Sequence, residues 1–272
     1  MGLGSLGLGT LLAEDRSLNP LSEGKAHFEG TAKRVIHIFA NGGPSHVDSF
    51  DYKPSLAKYD GMEMPGGTLK TERKTGTLMS STFAFKQRGE SGIWASDLFP
   101  KVSEMVDDLC IINSMHTDVP NHSPAFVQMH TGSFQFVRPS LGAWTVYGLG
   151  TENENLPGFI TLNPPADNGG ARNYGSAFLP SICQGTRVGG SQLPALYAAF
   201  LKKEQAPGPP MKNIANDRMD RKEQRRHLDL IQGLNRKLLA RQGLSPRVEG
   251  MIESFELAFR MQDEVPEVLD VA

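Results

Sequence analysis

The strongest constraint on the fold is a pair of short apolar runs, each ending in a polar loop. Val35-Ile36-His37-Ile38-Phe39-Ala40 is rich in β-branched residues and stops at Asn41-Gly42-Gly43-Pro44. Leu109-Cys110-Ile111-Ile112 leads straight into Asn113-Ser114-Met115-His116-Thr117-Asp118. Runs of this length, bounded by turn residues, predict buried strands. Between them Asp97 precedes Leu98, Phe99, Val102, Met105 and Val106 at helical spacing, with Pro100 in the first turn. Strand, helix and strand in this order predict an α/β fold, a mostly parallel sheet flanked by helices. Ligands of such sheets gather beyond the carboxyl ends of the strands. The first loop sets out Ser45, His46, Asp48 and Asp51 there, although the same residues also suit a capped surface turn.

The remaining punctuation extends this pattern. Phe83-Ala84-Phe85 reads as a short edge strand and Phe159-Ile160-Thr161-Leu162 as a further strand. Ser123-Pro124 predicts a helix cap with proline behind it, and Gly132 a stop. The start of that helix, with Asn121, His122 and Ser123, is a ready anion site because its first amides lack intrahelical partners. Ser140–Gly150 reads as an amphipathic helix, and 163–190 as loop carrying Arg172 and Arg187, residues able to clamp an anion. Pro207-Gly208-Pro209-Pro210 is a break. Beyond it, 216–242 predicts one helix with Leu228, Ile231, Leu234 and Leu238 in a single apolar stripe and a solvated basic start. Ser245-Pro246 begins a second helix through Phe259. The two form a C-terminal helical hairpin, expected to cover the sheet.

Composition excludes some partners. A net charge of −2 gives no electrostatic case for nucleic acid or an anionic membrane. Cys110 and Cys183 lack metal or redox spacing and read as small hydrophobes. Residues 1–13, MGLGSLGLGTLLA, look like part of an export-signal core, too short to span a bilayer. Residues 14–32 follow as a linker, 33–206 as part of an α/β domain, and 207–272 as its helical hairpin. No other segment has the length and apolarity of a membrane helix.

The segments GGPSHVDSFD, SGIWASDLFP and NHSPAFVQMHTGS, followed by PSLGAW and LPGF, resemble a bacterial family called domain of unknown function 1501. The resemblance runs from about Lys33 to the end. That family resembles a branch of the alkaline phosphatase and sulfatase superfamily. The resemblance implies export, often on a twin-arginine signal, to the periplasm or cell surface. It further implies metal-dependent hydrolysis of a sulfate or phosphate ester, the ligand being a small anionic ester or a glycan. Superfamily members draw much of their metal site from Asp and His residues in a C-terminal half. This chain has no Asp-His pair after Gly190, so it reads as the N-terminal half of a longer protein.

By the same resemblance, His122–Gly132 has the length of the sulfatase signature C-S-P-S-R-x-x-L-x-T-G, with Ser-Pro and Thr-Gly in register. His122 then stands at the nucleophile position and Phe126 at the arginine. The superfamily's first metal-binding Asp corresponds to Asn41-Gly42. The residues themselves allow several roles. His122 can ligate zinc, act as general acid or base, or attack phosphorus. His46 and Asp48 can be metal ligands, or one ligand and the group that orients it. Asn41 can offer a carbonyl oxygen to a hard cation. The expected site is therefore His122, Asn121 and Ser45 for chemistry, and Asn41, His46, Asp48 and His122 for a divalent metal, Zn2+ first and Ca2+ or Mg2+ as alternatives. The other reading is a non-catalytic cell-envelope binding protein that keeps the fold without the nucleophile.

Overall fold

The computed structural model describes residues 32–67, 74–189, 211–243 and 245–269. The expected signal core and all but the last residue of the expected linker lie outside them. The chain divides into two units, Arg34–Asp118 and Val119–Ala272, the latter taken together with Met1–Lys33.

Arg34–Asp118 is organised around an antiparallel hairpin of β1 (Phe85–Arg88) and β2 (Ile93–Ser96), with Phe85 opposite Ser96 and Arg88 opposite Ile93. Its loop turns on two glycines at positive φ, Gly89 (62°) and Gly92 (66°). The Asp107 carboxylate accepts from the amides of Glu90 (2.9 Å) and Ser91 (2.8 Å), closing the loop from a distant point in the sequence. A short α1 (Pro54–Lys58) lies within the stretch that reads as loop, and α2 (Pro100–Ser103) and a 3-10 turn (Val106–Asp108) replace the single helix expected over 97–106. Local bonding explains the break. The Ser103 hydroxyl donates to the Ser96 carbonyl (3.0 Å), and Asp107 is held by the hairpin loop. The buried residues here are small or polar: Ala95, Val106, Ser49, Asp51, Ser96 and Ser103.

The strands expected at 33–40 and 109–112 do not form. Val35, Ile36 and Ile38 are 72%, 86% and 86% exposed, and Ile112 is 61% exposed. Both runs have strand-like sequence, but a strand exists only through its ladder, and among the described residues neither run belongs to one.

In the second unit, α3 (His122–Thr131) ends as expected at Gly132, in the left-handed conformation (φ 74°), and α4 (Leu141–Leu149) is capped by the Ser140 hydroxyl. β3 (Ile160–Leu162) pairs with β4 (Thr186–Val188) in parallel, Ile160 opposite Thr186. Among the described residues the sheets are these two pairs, so the fold is mixed helix and strand without the large parallel sheet expected. Two helices follow, α5 (Arg221–Gln242) and α6 (Pro246–Leu269), the expected helical pair.

The core of this unit joins Ala143 and Val146 of α4, Leu179, Ile182 and Cys183, and Leu257, Met261 and Val265 of α6. The α6 residues recur every fourth position and lie on one helix face. Packing is tight enough that a Cβ at Gly142 would lie 2.5 Å from the Phe159 ring. The α5–α6 contact, in contrast, is polar. Arg225 donates to Glu256 at 2.8 and 3.0 Å, and Gln232, fully buried, donates to the Ile252 carbonyl (2.9 Å) and Glu256 (3.2 Å). Arg221 lies 3.6 Å over the Phe259 ring and pairs with Asp263. Thus part of the basic start expected to be solvated faces α6, while Ile231, Leu234 and Leu238 of the expected apolar stripe are exposed and Leu228 is half-buried. Burying the planar guanidinium over an aromatic ring, with carboxylates at its edge, favours the arginine face.

Candidate functional site

The loop after Val35–Ala40 is built by hydrogen bonds close in sequence. Gly43 N–H donates to the Ala40 carbonyl (3.1 Å), and Gly42, at φ 85°, makes that turn possible. Asn41 is exposed on it. Ser45 precedes a 3-10 turn, His46–Asp48, and the Ser49 hydroxyl donates back to the Ser45 carbonyl (2.9 Å). The Ser96 hydroxyl of β2 donates to the Asp48 carbonyl (2.5 Å), tying the loop to the hairpin. Side-chain hydrogen bonds from Ser45 and Ser81, and then the nearby His46, hold the Asp48 carboxyl below the usual carboxylate range. The structure therefore brings Ser45, His46 and Asp48 together. Ser45 acts there as a hydrogen-bond donor to a carboxylate.

The other expected residues stand at the start of α3. Asn121 is the cap residue, with extended backbone (φ −100°, ψ 143°) and no side-chain capping bond. The cap falls two residues before the expected one, so Ser123 and Pro124 lie inside the first turn. His122 is exposed, its ring edge-on to buried Phe126 at 6.1 Å between centroids. The Ser123 hydroxyl donates to the Asn168 side chain (2.6 Å). Pro124 has no amide hydrogen, so the helix start presents the amides of His122 and Ser123. Asn41, Ser45, His46 and Asp48 belong to Arg34–Asp118, and Asn121 and His122 to the other unit. Arg172 and Arg187 donate to the carbonyls of Phe134 (3.2 Å) and Gly189 (3.0 Å).

For a metal, the donor set near Asp48 fits in kind but not in number. An imidazole and an ionised carboxylate are suitable ligands, yet a catalytic zinc takes three from the protein. Among the described residues no three His, Cys, Asp or Glu side chains converge.

Sequence reading missed a cleft on the same unit. Phe50, Asp51, Tyr52, Gly92, Trp94 and Asn113 are among the residues that line about 320 Å³. Its only sequence signal was the proximity of Asp51-Tyr52 to the polar loop, since Trp94 and Asn113 arrive by tertiary folding.

A protein of mixed helix and strand, with small sheets, a polar loop after Val35–Ala40 and a polar helix start, is thus defined. Residues 32–272 match the family described as Protein of unknown function (DUF1501), and the chain belongs to that family. No curated protein and no solved structure matches it. Among the described residues, no helix is long and apolar enough to cross a membrane.

Proposed function

We propose that this chain is part of an exported hydrolase of sulfate or phosphate esters, of the alkaline phosphatase and sulfatase type. One observation carries the reading. The stretch with the length of the sulfatase signature is a single helix that starts at His122 and stops at Gly132. The residue at the nucleophile position is therefore exposed at a helix start. There the ester's anionic oxygens would meet the amides of His122 and Ser123 and the Asn121 carboxamide. The His122 imidazole would transfer a proton to the leaving oxygen or from the attacking water. Asn41, His46 and Asp48 are the residues proposed to help hold a divalent metal, Zn2+ first. A metal bound within Arg34–Asp118 would supply Lewis-acid chemistry there.

Two observations favour the second reading, a cell-envelope binding protein without turnover. Phe126, at the position of the signature arginine, is buried in the core, and the Ser45 hydroxyl is engaged with Asp48. Metal content of the purified protein and turnover of aryl phosphate and aryl sulfate esters separate the two. The hydrolase reading expects His122→Ala to lower kcat/KM at least about 100-fold, the range of a lost general acid or base, with the fold intact. Absence of stoichiometric metal together with unchanged turnover in His122→Ala would defeat it.

A further inference from the structure

The cleft on Arg34–Asp118 has a built aromatic wall. Paired residues of an antiparallel ladder share a face, so Phe85 and Trp94, which stand diagonally on β1 and β2, point the same way. Tyr52 packs against both rings, 4.9 Å from Phe85 and 4.5 Å from Trp94 between centroids. Trp94, at the end of this stack, stays 40% exposed and lines the cleft, where Tyr52 is also 37% exposed. Exposing two such rings side by side forgoes the burial that large aromatics ordinarily gain. Beside them are Asp51, 9% exposed, and the exposed side chain of Asn113. An apolar wall with a few convergent polar groups is how a small-molecule site is composed, and about 320 Å³ is enough for one ring.

Charge narrows the ligand class. Asp51 is paired with Lys53 at 2.8 Å, which offsets its charge and weakens the pull on a cation. Among the described residues no arginine lines the cleft, and the Asp51 carboxylate opposes an anion. A carboxylate in one ion pair still has lone pairs for hydroxyl donors, and a carboxamide both donates and accepts. The complementary ligand is uncharged, rich in hydroxyls, and has one apolar face to lay on Trp94. We propose that this cleft is a carbohydrate-binding site, with Trp94 and Tyr52 stacking on a pyranose ring and Asp51 and Asn113 bonding its hydroxyls. It stands apart from the hydrolase reading, because its test reads binding and not turnover.

The chain has two tryptophans, Trp94 and Trp144, so Trp144→Phe leaves Trp94 as the sole reporter. Titration of that variant with glucose, galactose, mannose and N-acetylglucosamine is expected to give a saturable fluorescence change for at least one, with Kd of about 1 mM. Affinity electrophoresis through a polymer of the same sugar reports the same binding without fluorescence. Asp51→Asn and Asn113→Ala should each weaken it about tenfold, the loss of one good hydrogen bond. Asn113 is exposed, so its variant keeps the test decisive where Asp51→Asn disturbs folding. Tetramethylammonium and inorganic phosphate should not displace the sugar. Absence of saturable binding to every sugar and polymer overturns the proposal, as does equal binding of tetramethylammonium or undiminished affinity in Asn113→Ala.

Discussion

The two units are held together by different means. Val119 onward has a continuous apolar core in which α6 supplies Leu257, Met261 and Val265 against Ala143, Val146, Ile182 and Cys183. Among its described residues Arg34–Asp118 buries three serines, Asp51, one alanine and one valine, and it relies on bonds such as Ser96 to Asp48 and Ser103 to Ser96. Apolar burial gains about 25 cal/mol per Å², without regard to direction. A hydrogen bond gains only about 1 kcal/mol net, but leaving a buried group unpaired costs more. The core of Val119 onward should therefore tolerate small shifts and resist truncation poorly. Arg34–Asp118 should depend on a few exact partners.

The two tryptophans test this contrast because one lies in each unit. The largest effect is expected for Leu257→Ala, which should destabilise the Trp144-reported transition in Trp94→Phe by about 2–5 kcal/mol, as buried leucines do. Ser96→Ala should lower the Trp94-reported transition in Trp144→Phe by about 1–2 kcal/mol, by leaving the half-buried Asp48 carbonyl without the buried Ser96 donor. If a core leucine moved the Trp94 signal as strongly as Trp144, the contrast between the units would fail. The smallest effect is a pH dependence. The Arg225 guanidinium, followed by the Gln232 amide, holds the Glu256 carboxyl below its ordinary value of 4.5, against the opposing effect of burial. A carboxylate depressed in the folded state stabilises above its unfolded pKa, and that contribution is lost as pH falls. The Trp144 transition should therefore decline as pH drops below about 4.5, and Glu256→Gln should flatten that part of the decline.

What could be read from sequence follows the range of the interaction. Gly132, Ser140 and Gly150 mark helix ends through bonds within four residues, and all three stand where expected. Ile160–Leu162 forms a strand while Val35–Ala40, with similar sequence, does not: among the described residues only the former stands in a ladder, with Thr186–Val188. Asp107 reaches back 16 and 17 residues to close a hairpin loop, which no local pattern announces. The α5 face was misread for a related reason: arginines at helical spacing look solvated until Phe259, Glu256 and Asp263 are known to lie opposite. At the candidate site, Ser45, His46 and Asp48 were legible because they share one turn. The cleft was not, because Tyr52, Trp94 and Asn113 come from three separate segments.

Cys183 is fully buried in the larger core, and burial pushes its thiol up to about 12, whereas Cys110 is exposed on the other unit. Only thiolate reacts appreciably with alkylating reagents. The chain thus carries a clock as well as a core: Cys110 is modified at once, and Cys183 only in molecules whose α4–α6 packing has opened. The lag between the two modifications counts openings of that packing in the otherwise native protein, without heat or denaturant.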